Sequence, residues 1–214
     1  MHLHEFLSQV HEIVKPKTYL EVGVRHGTSL KLAHAAEVAV GVDPLPLTQA
    51  TGNQLLYTMP SDEYFLNPYP PIGHIDLGFI DGLHHFEQAL RDFLNIEKYA
   101  TPKSVIIFDD VLPRNQEEAS RTMCPGDWTG DVWKVTQVLL RLRDELTIIE
   151  VNTQPTGTLM VLGFGSKKSI GNVELRHVAE DEYMNLDVVP DNVINRVYAW
   201  DPDMALEELR GFML

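Results

Sequence analysis

A chain of 214 residues, 44% hydrophobic and 22% charged, is long enough for one α/β domain with a sizeable core and too short for two. Its formal charge of −14 argues against a nucleic-acid partner, which would call for clustered Lys and Arg, and points to a neutral or cationic small-molecule substrate. No apolar run nears the length of a membrane span and no basic, apolar leader opens at Met1, so the expectation is a cytoplasmic protein without a membrane partner.

In chain order, Leu3, Phe6, Leu7, Val10 and Val14 fall at helical spacing before Pro16, which predicts a packing or lid helix. His2, His4 and His11 around it read as surface histidines. Tyr19 to Val22 is a short buried strand running into a turn bracketed by Gly23 and Gly27. Thr28 and Ser29 then offer caps for a helix over Leu30–Ala36. A second buried strand ends at Asp43, sixteen residues after Gly27, where a carboxylate could hold the two hydroxyls of a ribose. A third strand is expected over Leu55–Met59, a short helix after Ser61, and a proline-rich connection over Asn67–Gly73.

The fourth strand, Ile75 to Asp81, is followed by an amphipathic helix from about His84 to Tyr99. The fifth, Lys103 to Asp110, is a continuous apolar run of the kind found inside parallel sheets. Val111 to Gly130 is irregular and reads as a substrate cover, poorly ordered without ligand. It holds the lone Cys124, an apolar filler that can form neither an internal disulfide nor a thiolate zinc site. A helix over Val132–Leu146 precedes two strands, 147–152 and 158–164, whose five-residue connection is too short for a helical crossover and implies an antiparallel hairpin. The alternation predicts a doubly wound, mostly parallel seven-stranded α/β sheet, Rossmann-like, with an antiparallel C-terminal hairpin strand. Residues 1–165 form the domain. Residues 166–214 are an acidic extension with a short helix at Asp201–Arg210, docking on this body or on a second subunit in a homo-oligomer.

The turn lacks the Gly-x-Gly-x-x-Gly that a pyrophosphate requires. An adenosyl ligand carrying a sulfonium makes no such demand, and Glu21 would welcome its cation. Tyr-Leu-Glu-Val-Gly-x-x-x-Gly-x-Ser, Val-Gly-Val-Asp-Pro, Phe79-Ile-Asp-Gly-Leu-His84 and Ile107-Phe-Asp-Asp110 together resemble a class I S-adenosylmethionine-dependent methyltransferase. Within that superfamily the chain is most similar to the metal-dependent macrolide sugar O-methyltransferases. The resemblance covers residues 17 to 165. It implies that Glu21, Gly23, Gly27, Ser29, Asp43 and Asp81 line the S-adenosylmethionine site, with Ser61 and Asp62 near the adenine, although helix capping explains the last two equally well.

Asp81, Asp109 and Asp110 end adjacent strands roughly 4.8 Å apart, so three carboxylates converge on the ligand edge. Oxygen donors alone favour Mg²⁺, with Mn²⁺ or Ca²⁺ as substitutes; the competing reading is that each merely caps a loop. The resemblance assigns them as metal ligands and implies a nearby base. The position acidic in some relatives is Leu83 here, which leaves His84 as the base, with His85 the adjacent alternative. A binding module that holds cofactor or nucleotide without turnover, and an NAD-type dehydrogenase, are the competing readings.

Overall fold

The structure, a computed structural model, describes residues 1–66 and 73–214. The connection expected over Asn67–Gly73 therefore lies, up to residue 72, outside the described residues. Seven strands form one sheet: β1 (Thr18–Val22), β2 (Val38–Val42), β3 (Gln54–Tyr57), β4 (Ile75–Ile80), β5 (Ala100–Phe108), β6 (Thr147–Val151) and β7 (Thr158–Leu162), in the order β3-β2-β1-β4-β5-β7-β6. Strands β1 to β5 pair in parallel, and β7 runs antiparallel to both β5 and β6. The hairpin forms as expected, yet its reversed strand is not the sheet's edge, because β7 inserts beside β5 and leaves β6 outermost.

Side chains alternate between the faces with the period of two that a pleated strand imposes. Leu20, Val22, Val40, Ile80, Ile106 and Phe108 point into one core, and Tyr19, Ala39, Leu77, Phe79, Val105 and Ile107 into the other. The first core is closed by α2 (Ser61–Leu66), α3 (Phe86–Glu97), α4 (Trp133–Leu142) and α5 (Asn172–Tyr183); α6 (Asp191–Ile194) adds Val193. The second is closed by α1 (Leu3–Val14) and α7 (Pro202–Met213). Each fully buried Leu or Phe in these layers contributes about 1.5–3 kcal/mol, so both layers hold the sheet.

Pro16 and a left-handed Lys15 end α1 as its spacing predicts. The segment Leu30–Ala35 is a 3-10 helix rather than the expected α-helix, and Ser29 makes no capping bond. The acidic tail docks on this body. Leu175, Ala179 and Tyr183 of α5 enter the first core, and Ala205, Leu206 and Leu209 of α7 enter the second. Asp201 caps α7 through the Asp203 N–H, with Pro202 at the first helical position. His11 is not a surface residue either. Its ring lies 4.8 Å from that of Tyr19, and burial with the nearby charge of His34 pushes its pKa down to about 4.

Candidate active site

A cavity of about 910 Å³ opens at the carboxyl ends of β1, β2 and β4, where ligands of open α/β sheets bind. Its floor is the turn after β1. Gly23 takes φ of +89°, and a Cβ there would come within 1.8 Å of the Asp81 carbonyl oxygen, so only glycine lets the ends of β1 and β4 meet this closely. Asp43, at the end of β2, holds the same turn in shape. Its Oδ2 accepts the N–H groups of Val24 and Arg25 at 2.9 and 2.7 Å, and Oδ1 accepts that of Leu45 at 2.7 Å. A carboxylate oxygen has two lone pairs, so Asp43 retains acceptor capacity towards the cavity it lines.

The structure brings Gly23, Asp43, Ser61, Asp81, His84, Asp109 and Asp110 to this one cavity. It does not bring Glu21, Gly27, Ser29 or Asp62 there. Glu21 is fully buried beneath the turn, accepting the Tyr19 hydroxyl and the Ser29 hydroxyl, each at 2.7 Å. Burial pushes its pKa up to about 8 despite those bonds, and its side chain does not line the cavity. Gly27 closes the turn through its N–H to the Val24 carbonyl. Asp62 faces outward and pairs with Arg91. These four support the site's backbone.

At the other end, Asp81, His84 and Asp110 each present a ligand atom within 4.8 Å of the others. Asp109 lines the cavity but stands outside that group. Asp110 has φ of +63°, strained for a residue with a Cβ and the kind of geometry that clusters at functional sites. His84 is fixed from two sides. Gly130, at φ +57°, packs so tightly on the His84 backbone that a Cβ would meet its carbonyl at 1.7 Å. The ring stacks on Trp128 at 5.0 Å and 20°.

The Nδ1 of His84 lies 2.8 Å from the Trp128 carbonyl and 3.2 Å from Asp110, and Nε2 lies 3.6 Å from Asp81. A carbonyl only accepts, so Nδ1 carries the proton and the lone pair of a neutral ring sits on Nε2, facing Asp81. Burial alone would lower the pKa of His84; the hydrogen bond to Asp81 and the charges of Asp110 and Asp81 outweigh it and push it up to about 9. Burial, together with the charge of Asp81 and against the opposing charge of His84, pushes Asp110 up to about 7. Asp109 is raised by burial and by the charges of Asp110 and Asp81. The His85 ring turns to the Arg121 carbonyl at 3.2 Å and does not line the cavity.

Residues 20–111 match the model of a family described as a methyltransferase domain. Solved structures of methyltransferases share the chain's fold. TomG from Streptomyces achromogenes, an O-methyltransferase involved in tomaymycin synthesis and solved with S-adenosylmethionine, is 17% identical at a TM-score of 0.57, covering 76% of this chain and 79% of that one. The methyltransferase PaMTH1 of Podospora anserina, solved with S-adenosylhomocysteine, is 16% identical at 0.56, covering 75% and 77%. An O-methyltransferase from Bacillus cereus, solved with the same product, is 15% identical at 0.53, covering 74% and 80%. No curated protein matches the chain at a significant level.

Sequence reasoning missed several residues of this cavity. Leu3 and His4, from the first turn of α1, reach it, as do Gln88 and Asp92 of α3 and Trp128 of the following loop. The loop from Val111 to Gly130 is tied by ion pairs. Arg114 pairs with Glu118 and Asp127, and Arg121 with Glu87 and Asp131. Among the described residues no helix is long and apolar enough to cross a membrane.

Proposed function

We propose that this chain transfers a methyl group from S-adenosylmethionine to a hydroxyl of a neutral small molecule of sugar or natural-product type, with a divalent cation at the Asp81–Asp110 edge and His84 as general base. The observation that carries the reading is the convergence of Asp81, His84 and Asp110 within 4.8 Å on the wall of the cavity that also reaches Gly23 and Asp43. Two carboxylates held this close without a Lys or Arg between them suit a hard cation, Mg²⁺ first. When bound, such an ion lowers the pKa of the acceptor hydroxyl.

The chain's own residues supply the rest. Trp128 holds the tautomer of His84, so its single available lone pair, on Nε2, can either ligate an ion or accept the hydroxyl proton. The base role fits the oxygen-rich edge. Two uncompensated carboxylates push the pKa of His84 up to about 9; a bound cation would take over their charge and leave Nε2 free to accept a proton. The cavity wall then holds acceptor oxygen and methyl carbon in line, which is where most of the rate arises. The turn at Gly23 and the carboxylate of Asp43 orient the donor.

Incubation with methyl-labelled S-adenosylmethionine, Mg²⁺ and a panel of glycosides and phenols tests this. Labelled ether product is expected, and His84→Asn should lower kcat by about 10²–10⁴-fold while leaving the S-adenosylhomocysteine-induced rise in Tm unchanged. Full activity in His84→Asn would remove the base. Binding of S-adenosylhomocysteine with no transfer to any acceptor would favour a binding module.

A further inference from the structure

Three distant parts of the chain meet on the turn between β6 and β7, residues 152–157. Pro155 and Thr156 of this turn line the cavity, and the Thr156 hydroxyl sits against the Asp110 carboxylate. The turn's backbone holds the chain just past β5: the Thr156 carbonyl accepts the Leu112 N–H at 2.7 Å, and the Gly157 carbonyl accepts that of Val111 at 3.4 Å. Gly157, at φ +69°, packs so closely that a Cβ there would stand 2.5 Å from the Leu112 side chain. Gln154 holds the first residues of the chain, its carbonyl accepting the Leu3 N–H at 3.1 Å and its own N–H donating to the Met1 carbonyl at 3.0 Å. Leu3 and the next residue, His4, line the same cavity.

A single guanidinium from the acidic tail ties these pieces together. Nη1 of Arg196 donates to Asn152 Oδ1 at 2.7 Å and to the Thr153 carbonyl at 3.2 Å, while Nη2 donates to the Leu112 carbonyl at 3.1 Å and to the Pro155 carbonyl. All four acceptors are neutral oxygens. Three belong to the turn, and the fourth lies two residues beyond Asp110. A planar fork fixes the spacing of its partners in a way that a flexible ammonium does not. Arg196 takes φ of +54°, a conformation unfavourable for a residue with a Cβ and retained where the surrounding contacts impose it. It lies well outside residues 20–111, which match the family model.

We infer that Arg196 is a positioning residue for the acceptor end of the cavity: by bridging Leu112 to the turn it sets how Thr156 meets Asp110, and so where the carboxylate edge stands. This role rests on the proposed transfer to a hydroxyl at that edge, and it gives the tail a part in turnover as well as in packing. The donor is oriented by Gly23 and Asp43 on other strands. Loss of Arg196 therefore misplaces the acceptor without weakening the donor.

Steady-state methyl transfer by wild type, Arg196→Ala and Arg196→Lys, with amide hydrogen exchange and S-adenosylhomocysteine titration on the same proteins, tests this. Arg196→Ala should lower kcat about 10–10²-fold, the loss that a displacement of about 1 Å brings, with the KM for S-adenosylmethionine and the Kd for S-adenosylhomocysteine within about twofold of wild type. The amides of Val111 and Leu112 should exchange at least about fivefold faster, while those of Val24 and Arg25, held by Asp43, should not change. Arg196→Lys keeps the cation without the fork and should show the same split to a smaller degree, so it carries the comparison even where Arg196→Ala does not fold. A merely structural brace would instead lower Tm and leave kcat per folded molecule as in wild type, which would overturn the assignment. Unchanged exchange at Val111 and Leu112 in both variants would also overturn it, in an arm that needs no turnover, and would leave the transfer reading intact. Wild type that binds S-adenosylhomocysteine but methylates no acceptor would remove the transfer reading and this role with it.

Discussion

Two charge clusters lie one strand end apart in this molecule and are built on opposite principles. In one, Asp131 accepts the Phe86 N–H and pairs with Lys134 at 2.8 Å and Arg121 at 2.6 Å, while Arg121 also pairs with Glu87 at 2.7 Å. Despite burial, these partners hold Asp131 and Glu87 below the usual carboxylate range. In the other, Asp81 and Asp110 face each other with only His84 between them and Asp109 outside that group, and Asp109 and Asp110 are raised. The first cluster is complete, and it fixes the loop over the cavity. The second has an excess of negative charge, the setting in which bound cations and reacting groups shift pKa values.

Breaking the complete cluster should have the largest effect on stability. Asp131→Ala leaves Lys134, 1% exposed on its side chain, without its buried counter-ion, and losing one partner of such a pair costs about 3–5 kcal/mol. Urea unfolding should show this equally with and without Mg²⁺. A loss below about 1 kcal/mol would mean that the cluster is not the brace described here.

The two clusters should also differ in how stability depends on pH. Asp110, at about 7 against an ordinary 3.8, holds its proton more tightly folded than unfolded. The stability it contributes is present below pH 3.8 and is lost as pH rises through about 7. Asp131 and Glu87, held low, do the reverse: their contribution is present above the ordinary carboxylate range and fades on acidification. Metal-free Asp110→Asn should therefore gain on wild type in Tm between pH 4 and pH 8, whereas wild type should recover that difference when Mg²⁺ is added. A constant difference across that range would contradict the assignment of excess charge to this edge.

How much of this contrast was legible in the sequence follows from what each residue's position depends on. Gly23 and Asp43 announce themselves through local pattern, a glycine or an aspartate closing an apolar run, and the structure places both at the cavity. Asp109 and Asp110 are neighbours at the end of β5, so an extended chain sends their side chains to opposite sides and only one can join Asp81 and His84. Which one depends on backbone geometry, φ of +63° at Asp110, that composition does not encode. Glu21, inside the buried strand β1, was expected to face the donor's cation, and the structure turns it to the Tyr19 and Ser29 hydroxyls instead, partners that only the folded chain brings to it. The helix α5 was invisible for a different reason: its buried stripe is only Leu175, Ala179 and Tyr183 in a strongly acidic segment. The place of β7 beside β5 is a pairing between distant segments, which a hairpin signal cannot specify.

The smallest expected effect is at the rim, where Arg114 joins Glu118 and Asp127 at the surface. Arg114→Ala should cost about 0.5–1 kcal/mol, as exposed pairs do, while speeding proteolysis within the segment from Val111 to Gly130. Unchanged cleavage there would mean that this pair does not hold the loop.

The central claim is that the Asp81–Asp110 edge takes up a divalent cation, and titration of Mg²⁺ into the S-adenosylhomocysteine complexes of wild type and Asp110→Asn tests it most directly. Wild type should show a saturable heat with release of a proton from the His84–Asp110 group, while Asp110→Asn should lose most of that heat and still bind S-adenosylhomocysteine. Identical Mg²⁺ heats in the two proteins would contradict the account.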